Sequence, residues 1–252
     1  MENRGVLKIT LLFFYLFYSI NSHSQNSLET KPVYKWFDSK IGIGNSQLYN
    51  GYSYVQKFRT LKGNNEFYLN LDFLNSEIIY NDEVFYDVDL KYDVFHDEVI
   101  VRLPNGYSFN YIRLVKEKVK NFTVNNIQFL FFSKNDLKKI PEIKSGFYEV
   151  LFQKDDLSLF IKHTKNRFEK LDRDYLYNEF KEHESYFILN NEQWYVLKSK
   201  NDVTNIFVDH RNEVKSFYRK NRRLKKDNYH EFLKRLISYM NNLKMNKNLI
   251  KQ

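Results

Sequence analysis

The sequence predicts a mainly β (α+β) protein: an antiparallel β-meander, barrel-like or strongly curved, followed by β-hairpins and a C-terminal helical pair. Three observations carry this reading. Between Phe67 and Leu103, apolar and polar residues alternate in short runs, as in Phe67-Tyr68-Leu69-Asn70-Leu71-Asp72-Phe73. Turn residues interrupt the runs at Asn81-Asp82-Glu83 and Pro104-Asn105-Gly106. Beyond Ser199 the apolar period changes from that of a strand to that of a helix.

The chain begins with a processing segment. Arg4 and Lys8 precede an apolar run from Ile9 to Ile20, and Ser22 and Ser24 supply small residues before a cut between Ser24 and Gln25. A 12-residue run falls short of the roughly 20 residues a spanning helix needs, so residues 1–24 read as a cleaved signal peptide. With no Cys there is neither a lipidation site nor a disulfide. The 252 residues, 42% hydrophobic and 18% aromatic, suffice for a core that stands unaided. The chain lacks Ala and is rich in Asn, Lys, Ile, Phe and Tyr, so part of its Lys excess reflects AT-rich coding.

Residues 25–48 form an irregular lead-in containing Pro32, Trp36, Gly42 and Gly44. The meander is expected over 49–132. Tyr52–Thr60 is its first strand and Lys62-Gly63-Asn64-Asn65 a turn. Val84–Val94, Val99–Leu103, Tyr107–Leu114 and Lys120–Val124 are later strands, and Asn125-Asn126 turns the chain into Ile127–Phe132. A meander of this size bends rather than lying flat.

A polar connector at 133–145, containing Pro141, is the candidate domain boundary. In 146–198, Phe147–Phe152 pairs with Leu157–His163 across Lys154-Asp155-Asp156, and Tyr186–Leu189 with Trp194–Leu197 across a turn at Asn190-Asn191-Glu192. Between them Arg167–Glu184 reads as a charged helix, because Phe168, Leu171, Tyr175 and Leu176 fall at helical spacing. The basic helices occupy 199–252. Ser199 caps a helix from about Lys200, with Asp202 in its first turn, and Val203, Ile206, Phe207, Val214, Phe217 and Tyr218 form its stripe. A second stripe runs through Tyr229, Phe232, Leu233, Leu236, Ile237, Met240 and Leu243.

Charge is polarised along the chain. From Lys198 onward there are 15 Lys+Arg against 5 Asp+Glu, whereas the stretch from Gln25 to Leu197 nets −2. Arg219, Lys220, Arg222, Arg223, Lys225 and Lys226, placed in the linker between the two helices, are the candidate anion-binding residues. The competing explanation is a solvated helix face. Nucleic acid is set aside, since an exported protein seldom meets it.

Other chemistry finds less support. Asp87, Asp89 and Asp93 share one face of a strand with Lys91, and with His96, Asp97 and Glu98 nearby they could hold a hard cation. No Asp-x-Asp-x-Asp-Gly loop accompanies them, and a solvated strand face explains them equally well. His163, His183, His210 and His230 are dispersed, without a His-Glu-x-x-His motif. No Gly-rich phosphate loop and no Gly-x-Ser-x-Gly elbow occurs, so no catalytic residue, metal or cofactor is assigned.

Several segments carry a resemblance: Tyr49-Asn50-Gly51-Tyr52, Leu61-Lys62-Gly63-Asn64, Ile79-Tyr80-Asn81-Asp82, Leu90-Lys91-Tyr92-Asp93-Val94, the run Gly146 to Phe152, and Arg219-Lys220-Asn221. In these the chain resembles uncharacterised exported proteins of Bacteroidota. The resemblance implies a periplasmic or envelope protein of unknown function and transfers no catalytic residue. The expectation is therefore an exported, soluble, β-rich protein of the periplasm or cell envelope. It would act by binding or scaffolding, with an anionic envelope polymer or a partner protein as ligand. The alternative is an envelope enzyme of unassigned activity, hydrolysis being one class open to it, with its site at an open end of the sheet. A membrane-spanning barrel fits poorly, because these strands are shorter than the roughly 9–11 residues such strands need.

Overall fold

The computed structural model describes Pro32 and residues 47–250, apart from 62, 70–71, 104–110, 138–142 and 173–174. The expected signal peptide, nearly all of the lead-in and the Pro104-Asn105-Gly106 turn lie outside the described residues. The fold belongs to the unit Gly42–Gln252.

Eleven strands form one curved, open antiparallel sheet: β1 (Tyr52–Ser53), β2 (Leu74–Tyr80), β3 (Glu83–Asp93), β4 (Glu98–Arg102), β5 (Tyr111–Arg113), β6 (Val119–Val124), β7 (Ile127–Phe132), β8 (Gly146–Lys154), β9 (Leu157–Asp172), β10 (Tyr175–Asn190) and β11 (Gln193–Leu197). Their order across the sheet is β1-β5-β4-β3-β2-β6-β7-β8-β9-β10-β11. Three of the tight turns were legible from residue type. Asn81-Asp82, Asn125-Asn126 and Asn191-Glu192 each place two consecutive residues at positive φ, the geometry of the two-residue hairpin turn that matches strand twist.

The topology departs from a plain meander at one place. β6 pairs with β2 rather than β5, although only residues 114–118 join β5 to β6. Four inter-strand steps of a flat sheet would require roughly 19 Å. Three of the linking residues, Lys116–Lys118, are wound into a tight turn that rises only about 2 Å per residue. The link is too short for a flat sheet, so β2–β6 must curl. The curl encloses the largest core cluster, including Ile78, Tyr80, Leu90, Tyr92, Val101, Phe122, Phe129 and Phe147. At its centre the Phe122 and Phe129 rings stack at 5.0 Å.

The two late hairpins extend this same sheet. β7 pairs with β8 across the expected boundary at 133–145, so the strands on either side of it lie in one sheet. The expected helix over Arg167–Glu184 is instead the outer half of a long hairpin, in which β9 and β10 stay in register from Leu157↔Asn190 to Asp172↔Tyr175. Charged residues of good helix propensity misled the local reading. Cross-strand pairing overrides that propensity, with Lys170 and Glu179 meeting at 2.5 Å. The supposed helical stripe of Phe168, Leu171, Tyr175 and Leu176 is exposed.

Two other expected strands shrink. Only Tyr52–Ser53 of 52–60 is strand, and Phe67 makes an isolated bridge to Asp93 instead of belonging to a run over 67–73. This segment is drawn to side-chain partners. Lys165 Nζ donates to the carbonyls of Asn65 at 2.9 Å and Phe67 at 2.5 Å.

The C-terminal helices are α1 (Lys200–Ile206), α2 (Arg211–Lys220), α3 (Arg222–Asp227) and α4 (Tyr229–Ile250). The first expected helix is thus broken by a short turn at Val208–His210. Ser199 begins it as expected, with Asp202 Oδ2 accepting from the Ser199 backbone N–H at 2.6 Å and from its hydroxyl at 3.0 Å. The helices bury Val203, Phe207, Val214, Phe232, Leu233, Leu236, Ile237 and Met240 against Leu157, Leu159, Ile188 and Leu197 of the sheet. The opposite sheet face packs Tyr148, Phe160, Phe187 and Trp194 with Leu137 and Ile143. Two polar contacts fix α4 lengthwise: Asn241 Nδ2 donates to Asp155 at 2.9 Å and Lys244 Nζ to Asn190 at 2.7 Å. No helix among the described residues is long and apolar enough to cross a membrane.

Phe232 is fully buried between helix and sheet and touches the rings of Phe217, Tyr218 and Tyr229. Phe232→Ala is expected to destabilise the chain by about 3–5 kcal/mol, read as a lowered midpoint in denaturant unfolding.

Candidate functional site

The basic block folds as helix, where the sequence had suggested a linker, and this arranges its charges. Lys215, Arg219, Arg222 and Lys225 recur three or four residues apart, so they stay on one side of α2 and α3. Asn221 joins the two helices. Its backbone N–H and its Nδ2 both donate to the Phe217 carbonyl, at 3.0 and 2.9 Å, while its own carbonyl accepts from the Lys225 N–H. The turn is tight enough to carry the face across the junction.

The result is a cleft of about 570 Å³ lined by Lys200, Asn212, Lys215, Ser216, Tyr218, Arg219, Arg222 and Lys225. Five cations line it and no carboxylate does. Tyr218 is the buried part of its wall. The ammonium groups of Lys200 and Lys225 lie 5.9 and 5.3 Å from its ring centre. Its hydroxyl is buried without a hydrogen-bond partner among the described residues, and burial first, then Tyr229 and Asp202, raises its pKa. An unpartnered buried hydroxyl carries a desolvation cost, so the part Tyr218 plays in the cleft wall is that of its ring.

The six sequence candidates divide. Arg219, Arg222 and Lys225 line the cleft, whereas Lys220, Arg223 and Lys226 do not, and Arg223 instead faces Asp227 at 3.5 Å. Lys200 and Lys215 were missed. Lys215 was findable, since it precedes Arg219 by one helical turn, but Lys200 reaches the cleft only through tertiary packing.

The acidic run does not assemble. Asp87 sits in a bulge at φ 56°, where β3 carries an extra residue against β2 and the strand face reverses. Asp89 pairs with Arg102 at 3.5 Å and Glu98 with Arg113 at 3.0 Å. Asp93 is fully buried and holds the following turn, accepting from the His96 backbone N–H at 2.9 Å and meeting its Nδ1 at 2.8 Å.

Asp97 has a different role. Its carboxylate receives the Tyr92 hydroxyl at 2.7 Å, Lys162 Nζ at 2.8 Å, Lys116 Nζ and, at 3.4 Å, the Phe147 N–H. Burial opposes ionisation of this group, yet Lys162 and Lys116 outweigh it and hold the carboxyl below its ordinary value. Burial acts more strongly on Lys162, whose pKa falls to about 8 despite Asp97.

A second buried network lies one residue further along β9. His163 spans two carboxylates, with Nε2 2.7 Å from Glu149 and Nδ1 2.9 Å from Glu182. Burial pushes the imidazole pKa down, but the two carboxylates override it and lift it to about 9. Glu66 is also fully buried, with neither carboxylate oxygen hydrogen-bonded among the described residues, and burial raises its pKa. Nothing in the local sequence marked these groups, because strand pairing brings them together.

Compared with protein-family models, curated proteins and solved structures, the chain matches none.

Asp97 generates two expectations. A depressed folded pKa stabilises above the unfolded value near pH 4, and that contribution is lost as pH falls through the folded value. Asp97→Asn should therefore destabilise the chain at pH 7 and flatten the acid limb of its stability profile below about pH 4, measured by denaturant unfolding across pH. Gly146 has φ +143°, and a Cβ there would stand 1.9 Å from Asp97 Oδ2 and 2.5 Å from Lys162 Nζ. Gly146→Ala should cost about 2 kcal/mol or more, by the same measurement.

Proposed function

We propose that the protein is exported and acts in the cell envelope by binding an anionic polymer through the cleft between α1, α2 and α3. The observation that carries this reading is the convergence of Lys200, Lys215, Arg219, Arg222 and Lys225 on one concavity without a lining carboxylate. A merely solvated face spreads its cations and neutralises them with interspersed acids, as Arg223 and Asp227 do here. The concentration of cations in a concave site focuses positive potential on whatever enters it. Two of the five are Arg, which present planar forks suited to phosphate, sulfate or carboxylate oxygens. Export rests on the N-terminal basic and apolar pattern.

The enzymatic alternative draws on Glu66. A buried carboxyl whose pKa is raised by burial is suited to donate a proton. It is close enough to Tyr54 to help raise that phenol's pKa, after burial and Asp93, and Tyr54 lines a smaller cleft of about 200 Å³ with Phe58, His96, Glu98 and Arg113.

The binding reading is tested by titrating the chain with fluorescently labelled polyphosphate and following anisotropy at increasing salt. Affinity is expected to fall steeply with salt. The pair Arg219→Glu and Arg222→Glu should weaken binding at least about tenfold, or ~1.4 kcal/mol, with the melting temperature nearly unchanged. Arg223→Glu, outside the cleft, should have a much smaller effect. Equal losses from Arg223→Glu and Arg222→Glu, or no binding at low salt, would show a nonspecific solvated face instead.

A further inference from the structure

Histidines and acids that are far apart in the chain meet on the long hairpin. In the β9–β10 register His163 lies directly opposite Glu184, and Glu182 follows on the same face of β10. One ligand atom from each of His163, Glu182 and Glu184 lies within 4.8 Å of the other two. His163 is buried, whereas Glu182 and Glu184 are 38% and 33% exposed, so the cluster has a dry wall and an open mouth.

The surroundings orient these three side chains. Glu149 takes the Nε2 side of His163 at 2.7 Å and is itself held by the Tyr68 hydroxyl at 3.1 Å. This leaves Nδ1 on the side of Glu182, 2.9 Å from its Oε1. On the far side, Glu184 Oε2 meets His230 Nε2 at 2.9 Å and the Tyr186 hydroxyl at 2.5 Å. A buried carboxylate on one imidazole nitrogen and ligand oxygens around the other is the way proteins prepare a metal-binding histidine. Lys165, 3.8 Å from Glu182, directs hydrogen bonds to the Asn65 and Phe67 carbonyls.

We propose that His163 Nδ1, Glu182 and Glu184 form a binding site for a zinc-class divalent ion, with Glu149 and His230 orienting the ligands. One imidazole and two carboxylates suit a borderline ion such as Zn²⁺, while Mg²⁺ and Ca²⁺ favour all-oxygen shells. Ligand bonds of about 2.0–2.2 Å require the three atoms to draw closer than they stand now, a movement the two partly exposed glutamates can make. Three protein ligands leave a coordination position facing the open mouth, where water or an exogenous donor binds. The site is distinct from the basic cleft and stands whether or not a polyanion binds there.

The test is a calorimetric titration of the chelator-stripped full chain with Zn²⁺ alone, repeated with Co²⁺ to record its ligand-field absorption. One ion per chain is expected. His163→Gln and Glu182→Gln should each weaken binding at least about 100-fold, and His230→Asn by roughly 10–100-fold. His183→Asn, next to Glu182 on the opposite face of the strand, should bind as the parent does. If His163→Gln does not fold, as judged by circular dichroism, Glu182→Gln and Glu184→Gln at the open mouth decide the matter. Absence of Zn²⁺ binding, or binding unaffected by both glutamine variants, overturns the proposal.

Discussion

The described architecture depends on one partly buried carboxylate. Asp97 follows β3, and its oxygens are shared by Tyr92 of β3, Lys116 of the β5–β6 link, the Phe147 amide of β8 and Lys162 of β9. These groups belong to both the curled part of the sheet and its extension. Burying an ion pair is not by itself stabilising, because desolvation offsets the attraction. Removing one member is costly, however, because the remaining charges stay in a dry interior. The network therefore acts more on geometry than on net stability. A sheet that failed to curl, or a β8 shifted by one residue, would strand two ammonium groups.

Curvature and charge placement are linked through this arrangement. The short β5–β6 link forces the sheet to bend, and the bend turns Lys116 toward Asp97. Gly146 is required at the same point, since any side chain there would occupy the space of the ion pair. In the extension, alternate residues of β8–β11 serve two cores, one against the helices and one against Leu137 and Ile143. Polar side chains on these strands consequently meet cross-strand partners away from water, and this produces the Glu149–His163–Glu182 chain.

The two halves of the molecule treat charge in opposite ways. Within the sheet, the buried Lys162 and His163 each meet a carboxylate. On the helices, five cations line a concavity that no carboxylate lines. Paired buried charges specify structure. Cations gathered in a concavity leave interaction free energy available to a ligand.

What the sequence determined by itself was local. Asn81-Asp82, Asn125-Asn126 and Asn191 tolerate positive φ and mark their turns wherever they occur, so the hairpins they close were legible. The stripe from Phe232 to Met240 is periodic enough to require burial, and Ser199 with Asp202 announced the first helix. The run Arg219–Lys226 identified a basic region, including three residues that line the cleft. Tertiary structure decided the rest. The segment 167–184 is strand because a partner strand lies beside it, and local propensity cannot report a partner. The β2–β6 pairing, the Asp97 network and the meeting of His163 with Glu182 and Glu184 join residues distant in sequence. Their positions follow from sheet register and curvature, which are properties of the whole chain, while residue spacing records only near neighbours.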